Sequence, residues 1–151
     1  MAAATTVVLI YEDYENEFGF VEREDLTDPN VPCTVERNKD RDLRIFTWGL
    51  RKHDAPACQM HFDVSKFYTH IDPTVDVRSL TGLDAEIQDA IVRHPRFGDL
   101  VVRIVETIEE NNLSSISFAC AHGKHRSVGW AEIIKAHYYP RATTHHTCDL
   151  I

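Results

Sequence analysis

Short apolar runs alternate along this chain with longer stretches of helical repeat. Residues 5–11 (TTVVLIY) are β-branched and apolar, which predicts a buried strand. Residues 43–50 (LRIFTWGL) alternate weakly and predict a second strand, with Gly49 near its end. In residues 58–64 (CQMHFDV), Cys, Met, Phe and Val alternate with Gln, His and Asp, the two-residue period of a half-buried strand. Between the first two strands, residues 12–42 are acidic and carry the turn signals Asp28-Pro29 and Val31-Pro32, with room for a short strand at 33–36.

The period then lengthens. Thr81-Gly82-Leu83-Asp84 has capping-box spacing, with Asp in the usual Glu place, ahead of Ile87, Ala90 and Ile91 at helical spacing. That helix should end by His94, because Pro95 disfavours helical backbone in its predecessor. A longer helix sets Phe97, Leu100, Val101, Ile104, Val105 and Ile108 on one face, against Arg103, Glu106, Glu109 and Glu110 on the other. Asn111-Asn112 ends it. Residues 113–120 read as the central strand and 127–138 as a final helix, stopped by Pro140. Strands alternating with helices predict an α/β fold, one sheet with helices on its faces.

The junction between that strand and that helix, residues 117–128, reads S-F-A-C-A-H-G-K-H-R-S-V. A strand, a polar loop with one glycine and a helix start in that order aim successive backbone N–H groups, and the positive end of the helix dipole, at one point. Lys124, His125 and Arg126 add side-chain donors, Arg126 as a planar fork and Lys124 as a point charge. The expected guest is an anion, in the first place a phosphate. Ser127 either donates its hydroxyl or caps the helix. Asp63, at the end of its strand, is either a ligand group or a turn carboxylate.

Bulk properties narrow the classes. At 151 residues the chain is expected to be one domain, residues 1–42 being a strand plus acidic extension of the unit formed by 43–151. No run approaches the roughly 18 apolar residues of a membrane span, so no membrane partner is expected. The start lacks a basic n-region, and four cysteines without a C-x-x-C pair suit reduced thiols in the cytoplasm. A net charge of -8 opposes nucleic-acid binding through the whole-molecule field. His145 and His146 are adjacent, so on a strand they face opposite ways; no metal and no other cofactor is expected.

Two known families are written in these residues. Cys120-x5-Arg126-Ser127 resembles the phosphate loop of the cysteine-dependent phosphatases, and C-x-x-G-K-H-R-S-V resembles the signature of the RapZ C-terminal domain of bacterial RNase adapter proteins. The second resemblance extends over about residues 46–150. Thr47-Trp48-Gly49 stands where that family has Lys-Tyr-Gly, and Phe62-Asp63-Val64 resembles its F-D-V-R, with Ser65 in the arginine place. Thr81-Gly82-Leu83-Asp84 resembles its T-G-L-D string, and His145-His146-Thr147 its closing H-R-T. Within the signature, Ala121 and His122 replace the usual Thr and Gly.

The RapZ-like resemblance implies a phosphofructokinase-like sugar-phosphate-binding fold and a pocket for a hexosamine phosphate such as glucosamine-6-phosphate. The ligand residues it implies are Gly123, Lys124, His125, Arg126 and Ser127, with Asp63, Thr81, Gly82, Asp84 and His145. It also implies assembly into a homo-oligomer and RNA contacts through basic residues, of which two family arginines are here Ser65 and His146. The bacterial proteins add an N-terminal nucleotide-binding domain, but this chain contains no G-x-x-x-x-G-K-[ST]. The phosphatase resemblance makes Cys120 a nucleophile with Asp63, Asp72, Asp76 or Asp84 as general acid. Otherwise Cys120 is a small buried residue at a strand end. A third class is a protein- or RNA-interaction adapter without a ligand.

Overall fold

The computed structural model describes the backbone of Thr6–Leu9 and the chain from residue 35 to 150. The acidic stretch 12–42 and the strand considered at 33–36 therefore lie largely outside the described residues; Val35 and Glu36 are irregular. Five strands, β1 (Thr6–Leu9), β2 (Arg44–Gly49), β3 (Met60–Asp63), β4 (Ser115–Cys120) and β5 (Thr143–His146), form one sheet in the order β1-β3-β4-β2-β5, with every pairing parallel. The helices are α1 (Ala85–Val92), α2 (Phe97–Glu110) and α3 (Arg126–His137). The fold is thus α/β, as the alternating periods predict.

All six residues of β4 are buried, which fits the middle place in a parallel sheet. Its alternate residues Ile116, Phe118 and Cys120 join the core with Ile45, Met60 and Phe62. On the other face Ser117 accepts from Trp48 Nε1 at 3.0 Å and lies 2.5 Å from His61 Nδ1. Burial holds the His61 ring below its ordinary pKa, and the ring shares a hydrogen bond with the Ser117 hydroxyl. That bond is why His61 is buried on what the alternation marks as a polar face.

The six apolar positions anticipated on the long helix are the six that α2 buries, and Asn112 with φ 49° ends it. α3 is buried nearly all round, because it lies between the sheet and α1. Trp130 stacks on Phe97 at 5.3 Å and on Phe118 at 6.1 Å, and meets Phe67 edge-on at 5.2 Å.

β5 is a strand the apolar pattern does not announce, its sequence being TTHH. It is tied down by polar bonds. His146 Nδ1 meets Thr47 Oγ1 and its Nε2 meets Glu132 Oε2 of α3, both at 2.8 Å. The bond from His146 holds the Glu132 carboxyl below its usual range. His145 faces the other way and stacks on Phe46 at 5.0 Å.

The register aligns Gly49 with Cys120 and Asp63 with Ala119, so β2, β3 and β4 end on one edge of the sheet. From neighbouring β2 and β4 the chain departs in opposite directions, past β4 to β3 and past β2 to β5, so the two connections cross at the carboxyl ends of the strands.

Candidate functional site

The loop leaving β4 lies at that edge of the sheet. Leu50 N donates to Cys120 O at 2.8 Å and Arg51 N to Ala121 O at 3.0 Å, which pins its start to the end of β2. Gly123 turns it with φ 74°, a backbone region where a side chain is strained. A Cβ on Gly123 would lie 2.6 Å from Gly49 N, and one on Gly49 would lie 2.4 Å from the carbonyl carbon of His122. The two main chains touch because neither residue carries a side chain. The far side of the loop rests on the 81–84 turn: Gly82 N donates to Lys124 O at 2.8 Å, and a Cβ there would sit 2.2 Å from Gly129 N.

Held in this way, the amides of residues 121–126 find no acceptor among the described residues. They precede the first turn of α3, where the helix dipole is positive. This run of six successive donors without an acceptor among the described residues, here called the cup, is of the kind that suits an anion.

The side chains around the cup run differently from expectation. Lys124 Nζ donates to Arg78 O at 2.5 Å, His125 Nε2 to Val77 O at 2.9 Å, and Arg126 Nη1 to Ser65 O. The Arg126 guanidinium also lies 5.5 Å from the centre of the Tyr68 ring. A carbonyl only accepts, so His125 carries its proton on Nε2. Burial pushes its pKa down, partly offset by the nearby carbonyls of Val77 and Leu80. Beside these groups is a cavity of about 350 Å³ lined by Tyr68, Thr69, Ile71, Val77, Ile87, His125 and Arg126.

Cys120 is 3% exposed and its thiol lies 3.2 Å from Ser127 Oγ. Ser127 is therefore not the helix cap. The cap position belongs to His125, and the serine hydroxyl faces inward, onto the thiol. The 81–84 turn also differs in detail from a capping box. The helix begins after Asp84, whose carboxylate turns back to accept Thr81 N at 2.7 Å, while Thr81 Oγ1 accepts Leu83 N at 3.1 Å.

The four aspartates considered as general acids all accept backbone amides. Asp63 takes Ser65 N at 2.8 Å, Asp72 takes Thr74 N at 2.9 Å, and Asp76 takes Arg78 N at 3.1 Å, alongside the Asp84 bond. The amide and hydroxyl of Thr74 hold Asp72 below the usual carboxylate range.

The structure thus brings Gly123, Lys124, His125, Arg126 and Ser127 together with Thr81, Gly82 and Asp84, and sets Asp63 at the neighbouring strand end. It does not bring His145 to the loop. That residue aligns with Phe46, three residues before the end of β2, because the polar bonds of His146 fix the register of β5. Tyr68 and the carbonyls of Ser65, Val77 and Arg78 are the participants that sequence reasoning misses. A carbonyl leaves no trace in residue identity.

The chain is thus a parallel α/β domain whose central strand ends in a run of main-chain donors. The chain belongs to the RapZ C-terminal domain family, which it matches over residues 41–148. It is 34% identical over 113 residues to a nucleotide-binding protein of Shewanella halifaxensis, covering 67% of this chain and 39% of that protein. It is 32% identical over 104 residues to one of Zymomonas mobilis, covering 63% and 32%. To one of Xanthomonas campestris it is 31% identical over 124 residues, covering 72% and 43%. The matched part is therefore about a third to two-fifths of these relatives' own length. Among the described residues no helix is long and apolar enough to cross a membrane.

Proposed function

We propose that this domain binds a small phosphorylated ligand without turning it over, and serves as a sensor or adapter. The phosphate sits in the cup formed by the amides of residues 121–126, and the remainder of the ligand enters the adjoining cavity. The observation that carries this reading is the run of six amides without a described acceptor, at the positive end of α3. Each charge-assisted hydrogen bond to a phosphate contributes about 1.5–3 kcal/mol. Several together reach the roughly 8 kcal/mol of micromolar binding after the entropy of association is subtracted. The family resemblance supports a hexosamine phosphate, glucosamine-6-phosphate first. The relatives' name, nucleotide-binding protein, belongs to much longer chains, and their nucleotide is not extended to this one.

The contact of Cys120 with Ser127 favours a second reading, a cysteine-dependent phosphatase in which that hydroxyl supports the leaving thiolate. Binding without turnover has the better support. The thiol is almost wholly buried, and each candidate acid is an acceptor in its own turn.

The test is thermal unfolding with glucosamine-6-phosphate, other sugar phosphates, inorganic phosphate and p-nitrophenyl phosphate, with turnover of the last measured in parallel. A ligand bound only by the native state raises Tm. The expected result is a rise selective for a sugar phosphate, lost in Arg126→Ala, with no turnover. Turnover that vanishes in Cys120→Ser establishes the phosphatase instead. No shift with any phosphate refutes both.

A further inference from the structure

The cavity beside the cup has a wall that is held in place. Ile71 and Val77 are partly buried and pack against the hydrophobic core, and Ile87 of α1 is 2% exposed and belongs to it. The Val77 carbonyl is fixed besides by the bond from His125 Nε2 at 2.9 Å. A volume of about 350 Å³ lies at the lower end of the roughly 300–1,000 Å³ usual for small-molecule sites, which suits a body the size of one sugar ring. Where the cavity meets the loop, its lining is Arg126 and His125. Arg126 spends one N–H on Ser65 O and carries four more, all donors beside a fixed positive charge. The other described lining is the Thr69 side chain and the apolar groups of Tyr68, Ile71, Val77 and Ile87. The Tyr68 ring is 39% exposed, so one part of it faces outward from the protein.

We propose that the cavity selects a sugar phosphate whose body is uncharged and carries an apolar group, an N-acylated amino sugar phosphate in preference to the free amine. This rests on the phosphate-binding reading above and names the ligand class within it. The family resemblance puts glucosamine-6-phosphate first; the lining of this cavity reverses that order. With the phosphate in the cup, the sugar lies against Tyr68, Ile71, Val77 and Ile87. An ammonium placed among aliphatic side chains gives up water for groups that cannot accept its hydrogen bonds, which is costly. The charge of Arg126 has the same sign and adds repulsion. An acetamido group in that place has no charge to desolvate. Its methyl gains by leaving water for the isoleucine and valine surfaces, and its carbonyl accepts from the spare donors of Arg126 or from the Thr69 hydroxyl. A plain hydroxyl at the same carbon carries neither the cost nor the gain.

The experiment is calorimetric titration of the full chain at pH 7 with N-acetylglucosamine-6-phosphate, glucosamine-6-phosphate, glucose-6-phosphate and inorganic phosphate. The expected order is the acetylated sugar tightest, by about tenfold or more over the free amine, with glucose-6-phosphate between them. Thr69→Asp sets a carboxylate on the wall and should narrow or reverse that ratio, whereas the neutral Thr69→Asn should keep it. Tm of both variants without ligand shows that they fold. Glucosamine-6-phosphate binding as tightly as the acetylated sugar, or more tightly, overturns the selectivity and leaves the phosphate cup standing. So does inorganic phosphate binding as well as every sugar phosphate. A preference that Thr69→Asp leaves unchanged overturns the cavity as the seat of the sugar. If neither phosphate nor any sugar phosphate binds, the phosphate-binding reading fails and this proposal fails with it.

Discussion

Gly49 and Gly123 together provide a quantitative test of whether main-chain packing builds the loop. In Gly49→Ala the new Cβ lies 2.4 Å from His122 C, 2.6 Å from His122 O and 2.9 Å from Gly123 N, where ordinary contact begins at about 3.4 Å. The neighbours are backbone, fixed by the Leu50–Cys120 and Arg51–Ala121 bonds at 2.8 and 3.0 Å, so no side chain swings aside. Overpacking of this kind costs about 1–3 kcal/mol, and the rigidity on both sides puts the expectation at about 2–3. Gly123→Ala meets the same wall from the other side, at 2.6 Å from Gly49 N, and also forces an L-residue to φ 74°. The left-handed backbone adds about 1–2 kcal/mol. Urea unfolding reads both. With an m-value of about 1–3 kcal/mol per molar, Gly49→Ala lowers the midpoint by about 1 M or more and Gly123→Ala lowers it further. Because both changes press on one contact, the double variant costs less than the sum of the singles. A Gly49→Ala protein within about 0.5 kcal/mol of wild type, the range of an ordinary surface change, would refute the reasoning.

Acid should weaken the fold through His94, whose ring packs on Phe67 at 4.2 Å and whose pKa burial lowers to about 4. The unfolded ring titrates near 6.5, so its contribution is fully present above that pH and is lost as pH falls from 6.5 towards 4, at most about 3 kcal/mol. Burial lowers His61 and His125 in the same direction, so urea midpoints at pH 7.5 and 5 should differ, and differ less in His94→Phe. Arg41→Met should cost about 1.5–3 kcal/mol, because it removes the 2.7 Å partner of the partly buried Glu109 carboxylate, which keeps the Tyr139 hydroxyl at 2.6 Å; Glu109→Gln in the same protein should recover part of the loss. His146→Ala removes the His146 bonds to Thr47 Oγ1 and Glu132, and exchange of the β5 amides should rise before that of β4.

Much of this was legible in the chain because apolar periodicity reports burial directly. The α2 stripe, the run that becomes β4 and the switch of period after residue 80 all bury what they announce. The strand–loop–helix order placed the cup for the same reason: Gly123 and the helix that follows are visible in the sequence. β5 was hidden because polar side chains hold it, so no apolar alternation marks it. The destinations of Lys124, His125 and Arg126 were hidden for a different reason. Their partners are carbonyls 46 to 61 residues away in the chain, and every residue has a carbonyl. The alternative reading of Asp63 as a turn carboxylate matches its bond to Ser65 N, which Asp chemistry favours locally.

The cup is shaped by contacts between main chains at Gly49, Gly82 and Gly123, and by amides that every non-proline residue supplies. Its form is therefore nearly independent of which side chains the loop displays. Ala121 and His122, the two departures from the signature, can be exchanged for other residues without redrawing the socket, whereas those glycines cannot. Such a division separates the residues that shape the socket from those whose side chains can change around it. The scaffold is in that sense a mount that accepts different fittings.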